Sequence, residues 1–247
     1  MLNVVDPAVP VACWSCSVAR NESTLFCPHC SKIQPPPGGD FFAVFGLTPR
    51  LNLDLAALEK KFHRLSRRLH PDRFARAAGN EKEWSLADTA LLNDAYRTLK
   101  DPITRTEYLL KLRGAEIGEQ HSGKSRREGE MGASRVPADL LEEVFELNVQ
   151  LEGMRMAHKI GEQEDPELKQ SLTQAKKKFD ELRDAVDQDL RAQWNAWENG
   201  DDHARNAAQK AMVALLDRRR YLSNLVRDVT DTLEGKDSSG IFTQRGR

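Results

Sequence analysis

The four cysteines of this 247-residue chain form two pairs, Cys13-Trp14-Ser15-Cys16 and Cys27-Pro28-His29-Cys30, separated by ten residues. A CxxC turn aims two thiolates at one point, and two such turns supply the tetrahedral sulfur set that suits structural zinc. Iron in a rubredoxin-like site takes the same four ligands, so the spacing leaves both metals open. A segment of this length, residues 1–34, has almost no core of its own, and metal binding would supply its folding free energy. Two disulfides are the plainer alternative. A redox-active CxxC would sit at a helix start beside a strand pattern, which is absent here. His29 reads as a surface residue rather than a fifth ligand.

A second constellation is His70-Pro71-Asp72, which follows a helix carrying Lys60, Lys61, Arg64, Arg67 and Arg68. Their spacing by three and four residues gathers the five cations on one helix face. The bland reading is a solvated basic face stopped by a proline. At average residue usage the tripeptide would arise in about one chain in a hundred of this length.

The third lies on a helix over 137–155. Leu140, Val144, Leu147, Leu151 and Met154 make an ordinary core seam. Leu141, Phe145 and Val149 form a second row about 100° away, given 3.6 residues per turn. A three-helix bundle buries one face of each helix, so this second row is either twisted into the core or left as a partner surface.

These groups need elements to hold them. Asp54 caps a helix with Leu55, Leu58, Phe62, Leu65 and Leu69 inward, and Pro71 ends it. A second helix over 81–100 turns Trp84, Ala87, Leu91, Leu92, Ala95, Tyr96 and Leu99 inward. Asp101-Pro102 starts a third, closed by Gly114, and the apolar stretch from Phe41 to Leu47 packs across them. The last piece reads as three helices, beginning at Pro137, after Asp165-Pro166 and after Gly200. The last of these has Ala211, Leu215, Leu222, Leu225 and Val229 as its seam, with Tyr221 off it. The fold class expected is all-α: a helical unit over 40–113, then an elongated three-helix bundle over 137–235. A four-cysteine segment over 1–34 precedes them, set apart by the Pro35–Gly39 breaker. Residues 114–136 read as a flexible glycine-rich linker and 236–247 as a disordered tail.

Taken together, the basic helix, His70-Pro71-Asp72 and the following Asn93-Asp94-Ala95-Tyr96 resemble a J-domain. Asp40-Phe41-Phe42, Phe45-Gly46-Leu47, Leu92 to Leu99, Glu107 to Leu112, Glu146-Leu147-Asn148 and Arg220 to Leu225 narrow the likeness. They resemble the HscB family, J-type co-chaperones of iron–sulfur cluster assembly. The likeness covers 40–235 apart from the linker, which is longer and richer in glycine than the family's. The two CxxC pairs resemble the extension of animal members.

The resemblance implies that His70, Pro71, Asp72 and the five cations Lys60, Lys61, Arg64, Arg67 and Arg68 engage a DnaK/HscA-type chaperone and stimulate its ATPase. It further implies that Leu141, Phe145 and Tyr221 bind the scaffold IscU. Glu142 stands where the family often has an apolar residue. No catalysis by this chain itself is implied.

Charge and composition exclude other classes. With 37 Lys+Arg against 38 Asp+Glu the net charge is −1, which argues against a dedicated nucleic-acid binder. A zinc-ribbon nucleic-acid protein, a thiol oxidoreductase or a J-domain protein with other clients remain the alternatives. The first predicts steep salt dependence, and the second an accessible cysteine of low pKa. No apolar run reaches a membrane span. The first twelve residues lack Lys and Arg, so neither a signal nor a transit peptide is expected there, and the expected compartment is the cytoplasm. If a presequence is missing, it is the mitochondrial matrix.

Overall fold

The computed structural model describes residues 10–77, 79–117, 136–161 and 165–236, and these fall into two compact units meeting at Gly114–Ala115. The linker expected over 114–136 and the tail expected over 236–247 lie almost wholly outside the described residues.

The first unit opens with two short antiparallel strands, β1 (Pro10–Ala12) and β2 (Ala19–Asn21), paired with Val11 opposite Arg20. Four helices follow: α1 (Phe41–Val44), α2 (Leu55–Leu69), α3 (Glu81–Lys100) and α4 (Pro102–Leu112). Their limits follow from capping chemistry. Asp40, Asp54 and Asp101 each accept a hydrogen bond from a backbone N–H of the first turn, satisfying donors that have no partner inside the helix. Phe42, Phe45, Leu51, Leu58, Leu69, Leu92, Ala95, Leu99, Leu109 and Leu110 form the core. Phe62 of α2 stacks on Tyr96 of α3 at 4.1 Å, and Phe41 stacks on Tyr108 at 4.6 Å. The buried Arg105 of α4 donates to the Leu99 and Leu51 carbonyls, so one guanidinium closes α3 and ties down the loop before α2.

Two inward assignments differ from the sequence pattern. Leu55 and Ala87 are exposed. The buried row in the first half of α3 is instead Glu81, Ser85 and Asp88, three polar residues that no apolar period marks. Ser85 is buried against the Leu69 carbonyl at the end of α2, while Glu81 and Asp88 lie where the cysteine segment packs. Lys32 pairs with Glu81 at 3.0 Å, the Trp14 ring meets the Trp84 edge at 5.6 Å, and the Arg68 guanidinium lies over the Phe26 ring at 3.9 Å. The Pro35–Gly39 stretch therefore connects two packed parts of one unit.

Asp88 is fully buried and neither carboxylate oxygen has a hydrogen-bond donor. Burial pushes its pKa up to about 7, with Arg20 pulling partly the other way. In the unfolded chain the group ionises near 3.8. Between those values the folded state holds the extra proton, so raising the pH removes stability. Asp88→Asn should flatten this fall between about pH 4 and 7, where the wild-type slope from this group is at most about 1.4 kcal/mol per pH unit. Thermal melts of both proteins across that range check it, and parallel pH profiles would refute it.

The second unit consists of α5 (Leu141–Ile160), entered by a 3₁₀ turn, α6 (Pro166–Asn199) and α7 (Asp202–Leu233). Asp165 and Asp201 cap the two long helices, and Gly161 ends α5 with a left-handed φ of 71°. At 1.5 Å per residue, the 34 residues of α6 reach about 50 Å. The expected α5 seam is the observed one, packed with Leu172, Phe179 and Val186 of α6 and Leu222, Leu225, Val226 and Val229 of α7. In the first half of α7 the fully buried residues are Ala208, Met212 and Leu216, while the expected Leu215 packs against the core from a half-buried position and Ala211 is half-buried. The buried row is one position round the helix, a rotation that a run of alanines leaves undetermined in sequence. Arg218–Asp139 at 2.7 Å and Lys178–Glu143 at 3.1 Å lie over the bundle's polar surface.

Candidate functional site

The two knuckles are built alike. Cys13 N–H donates to the Val18 carbonyl and Ser17 N–H to the Cys13 carbonyl, both at 2.9 Å. In the second loop Cys27 N–H donates to Lys32 at 2.9 Å and Ser31 N–H to Cys27 at 3.0 Å. Ser17 and Ser31 both take φ 59°, the left-handed turn that brings each strand back. The result places all four Sγ atoms within 4.8 Å of one another, with Cys13–Cys30 and Cys16–Cys27 at 3.7 Å. That excludes the disulfide pairing, whose sulfurs stand about 2.05 Å apart. A tetrahedron of zinc–sulfur bonds near 2.3 Å has sulfurs about 3.8 Å apart, so the donor set fits a metal ion.

The surroundings favour thiolates unevenly. Burial raises Cys13, but N–H groups of Cys16 and Ser15 and the neighbouring thiols outweigh it and bring it down to about 6. The Val18 N–H lowers Cys16, but burial and the adjoining sulfurs push it up to about 12. A metal ion at their centre would draw all four to the thiolate form. Gln34, wholly buried, donates to Cys13 Sγ and fixes the loop from behind. The segment's own apolar core is little more than Leu25 and Ile33, about 1.5–3 kcal/mol each. That is far below the ordering cost of its backbone at about 1–2 kcal/mol per residue. Metal and docking onto α2 and α3 have to supply the rest. His29 is exposed and outside the sulfur cluster.

The His70-Pro71-Asp72 loop is held from α3. The Leu69 carbonyl, left without a helical donor at the end of α2, accepts from Ser85 Oγ at 2.6 Å and Thr89 Oγ1 at 3.5 Å. Pro71 forces His70 into extended backbone, φ −52° and ψ 128°, and starts a 3₁₀ turn over Pro71–Phe74. His70 Nδ1 accepts from the Asp72 N–H at 3.3 Å and lies 3.5 Å from the Asp72 carboxylate, so the ring braces the turn. The Asp72 side chain is 90% exposed. Lys60, Arg64, Arg67 and Arg68 are exposed along α2, while Lys61 is half-buried beside Gly46, with its pKa lowered by burial and by Arg64.

On α5, Leu141, Phe145 and Val149 are 56%, 71% and 59% exposed. Met156 and Ile160, which sequence reasoning passed over, extend this outer row. Their signal was present, since they continue the same face two turns further on. Tyr221 is half-buried against the bundle core, and this burial raises its pKa.

The first unit thus presents a helix pair joined by an exposed His-Pro-Asp loop, and the second unit is a three-helix bundle. No protein-family model matches the chain. It is 40% identical over 111 residues to the mouse iron–sulfur cluster co-chaperone protein HscB, a match covering 43% of this chain and 47% of that one. The human protein is 38% identical over 112 residues, covering 44% and 48%. A co-chaperone protein HscB homolog of Pseudoalteromonas atlantica is 42% identical over 90 residues, covering 36% and 50%. The chain thus spans about half the length of the curated relatives it matches. The crystal structure of human HscB superposes with TM-score 0.59 at 26% identity, covering 89% of this chain and 97% of that one. HscB from Vibrio cholerae gives 0.54 at 24%, covering 80% and 99%, a likeness of fold. The chain is thus similar to HscB proteins in sequence over about half of their curated length, and in fold over most of the human structure. Among the described residues no helix is long and apolar enough to cross a membrane.

Proposed function

We propose that this chain is a non-catalytic co-chaperone of iron–sulfur cluster assembly. Its residues 40–113 act as a J-domain that stimulates the ATPase of a DnaK/HscA-type chaperone, and its 137–235 bundle presents an IscU-type scaffold. Residues 1–34 are a metal-binding part with zinc as the structural ion. The observation that carries the reading is the loop itself: a solvent-facing Asp72 held by Pro71 and by Ser85 at the end of a cationic helix. The exposed cations would steer the helix onto an acidic ATPase surface, a rate effect that weakens with salt. His70 and Pro71 then fix the loop, and Asp72 engages donors of the partner.

Steady-state ATP turnover of a purified chaperone, with and without this chain, tests the first half. No stimulation at any concentration would end the reading. For the scaffold, Leu141→Ala and Phe145→Ala should each weaken binding by about 1–3 kcal/mol, as central apolar contacts do. Their exposure predicts almost unchanged melting temperatures. Tyr221→Ala should weaken binding and also lower the melting temperature, because that ring already packs on the core. Calorimetric titration with IscU decides it. Unchanged affinity with melting lowered by many degrees would make the row ordinary core.

A further inference from the structure

The cysteine segment and the turn after His70-Pro71-Asp72 face one another across an open cleft of about 550 Å³. One wall comes from the second knuckle, with Phe26, Ser31 and Lys32. The other comes from the end of α2 and the turn, with Arg68, Arg73 and Arg76. Four cations line it against a single carboxylate, Glu81, which is already paired with Lys32 at 3.0 Å. The walls are fixed to each other by the Arg68–Phe26 stack, by that ion pair and by the Trp14–Trp84 contact. Each of these contacts is made within two residues of a cysteine of the cluster. The position of the near wall therefore depends on the knuckle being closed.

We propose that this cleft is a docking site for an acidic segment of the ATPase partner, so that the cysteine segment supplies half of the chaperone-facing surface. This rests on the J-domain reading above. The surplus of positive charge selects an anionic occupant, and the apolar Phe26 floor beneath Arg68 suits a peptide better than bare phosphate. A nucleic-acid strand would need a long basic track to release counterions. Here the cations gather in one short cleft of a chain with net charge −1. Adjacency to Asp72 gives the occupant its source: whatever holds the loop also reaches the cleft.

Ser31→Asp puts a carboxylate on the knuckle wall, and aspartate tolerates the left-handed backbone there. Arg73→Ser removes a cation from the opposite wall. Each should raise the chaperone concentration for half-maximal stimulation about five- to tenfold at low salt, with the maximal rate kept and the effect shrinking at high salt. Metal content of the full-length variants, measured alongside, shows that the knuckle is intact. If Ser31→Asp retains its metal and activates at wild-type concentrations, the cleft is not a docking site. Weakened binding to a single-stranded DNA 20-mer with unchanged activation would also overturn the proposal, in favour of a phosphate reader. Wild-type protein that fails to stimulate would remove the J-domain reading and the cleft with it, whereas intact stimulation with silent cleft variants removes only the cleft.

Discussion

Asp72→Asn and His70→Gln should each bring ATPase stimulation down to the unstimulated rate while leaving circular dichroism and melting almost untouched. The separation is expected because the two side chains bear so little of the fold. Asp72 is nearly all in solvent, and His70 is 59% exposed and makes one long hydrogen bond within its own turn. Substitutions at such surface positions usually stay within about 0.5 kcal/mol. The loop's shape is held by Pro71 and by the Ser85–Leu69 hydrogen bond, which neither variant touches. Ser85→Ala makes the contrast. It leaves the tripeptide intact but removes the closer of the two donors to the Leu69 carbonyl, leaving only Thr89 at 3.5 Å, so it should lower stability by about 1 kcal/mol and loosen the loop. Stimulation by both tripeptide variants at the wild-type level would show that the loop is only a helix stop.

The second large effect concerns the metal. Elemental analysis should find about one zinc ion per chain, lost on Cys27→Ser and on acidification, since thiols release the ion as they take up protons. Iron in its place would colour the protein. Metal binding in small cysteine sites is worth about 10–16 kcal/mol of apparent folding free energy, so loss should unfold the segment outright. Two dockings onto α2 and α3 would go with it, and the lost Trp14–Trp84 contact should appear in tryptophan emission. Removal of residues 1–34 should therefore disturb the helical unit, by exposing Glu81 and Asp88, and not merely shorten the chain. Metal retained in the truncated protein would place the site elsewhere.

Helix limits were readable wherever a short polar side chain stood before an apolar period. Asp54, Asp101-Pro102 and Asp165-Pro166 each mark a start that the backbone adopts. The four-sulfur cluster was readable from spacing, and so was the second row of α5 as a row, but spacing left open whether that row is buried or, as the structure has it, exposed. What spacing could not reveal is the polar burial on α3. Glu81 and Asp88 lie inside only because Lys32 and Arg20, forty-nine and sixty-eight residues away, arrive from the cysteine segment. A pattern of apolar periods has no signal for charged side chains that a distant segment covers. The prolines and glycines at 35–39 misled in the same way, since a breaker marks a change of direction and not a separation.

The α5 helix carries two alphabets at once. Leu140, Val144, Leu147, Leu151 and Met154 face the neighbouring helices, while Leu141, Phe145, Val149, Met156 and Ile160 face out, and no residue belongs to both sets. Substitutions at sites without shared contacts add nearly independently. The outer set can therefore drift, duplicate and acquire new tastes without asking permission of the inner one. A lineage could rewrite what this helix meets while inheriting unchanged the reason it folds.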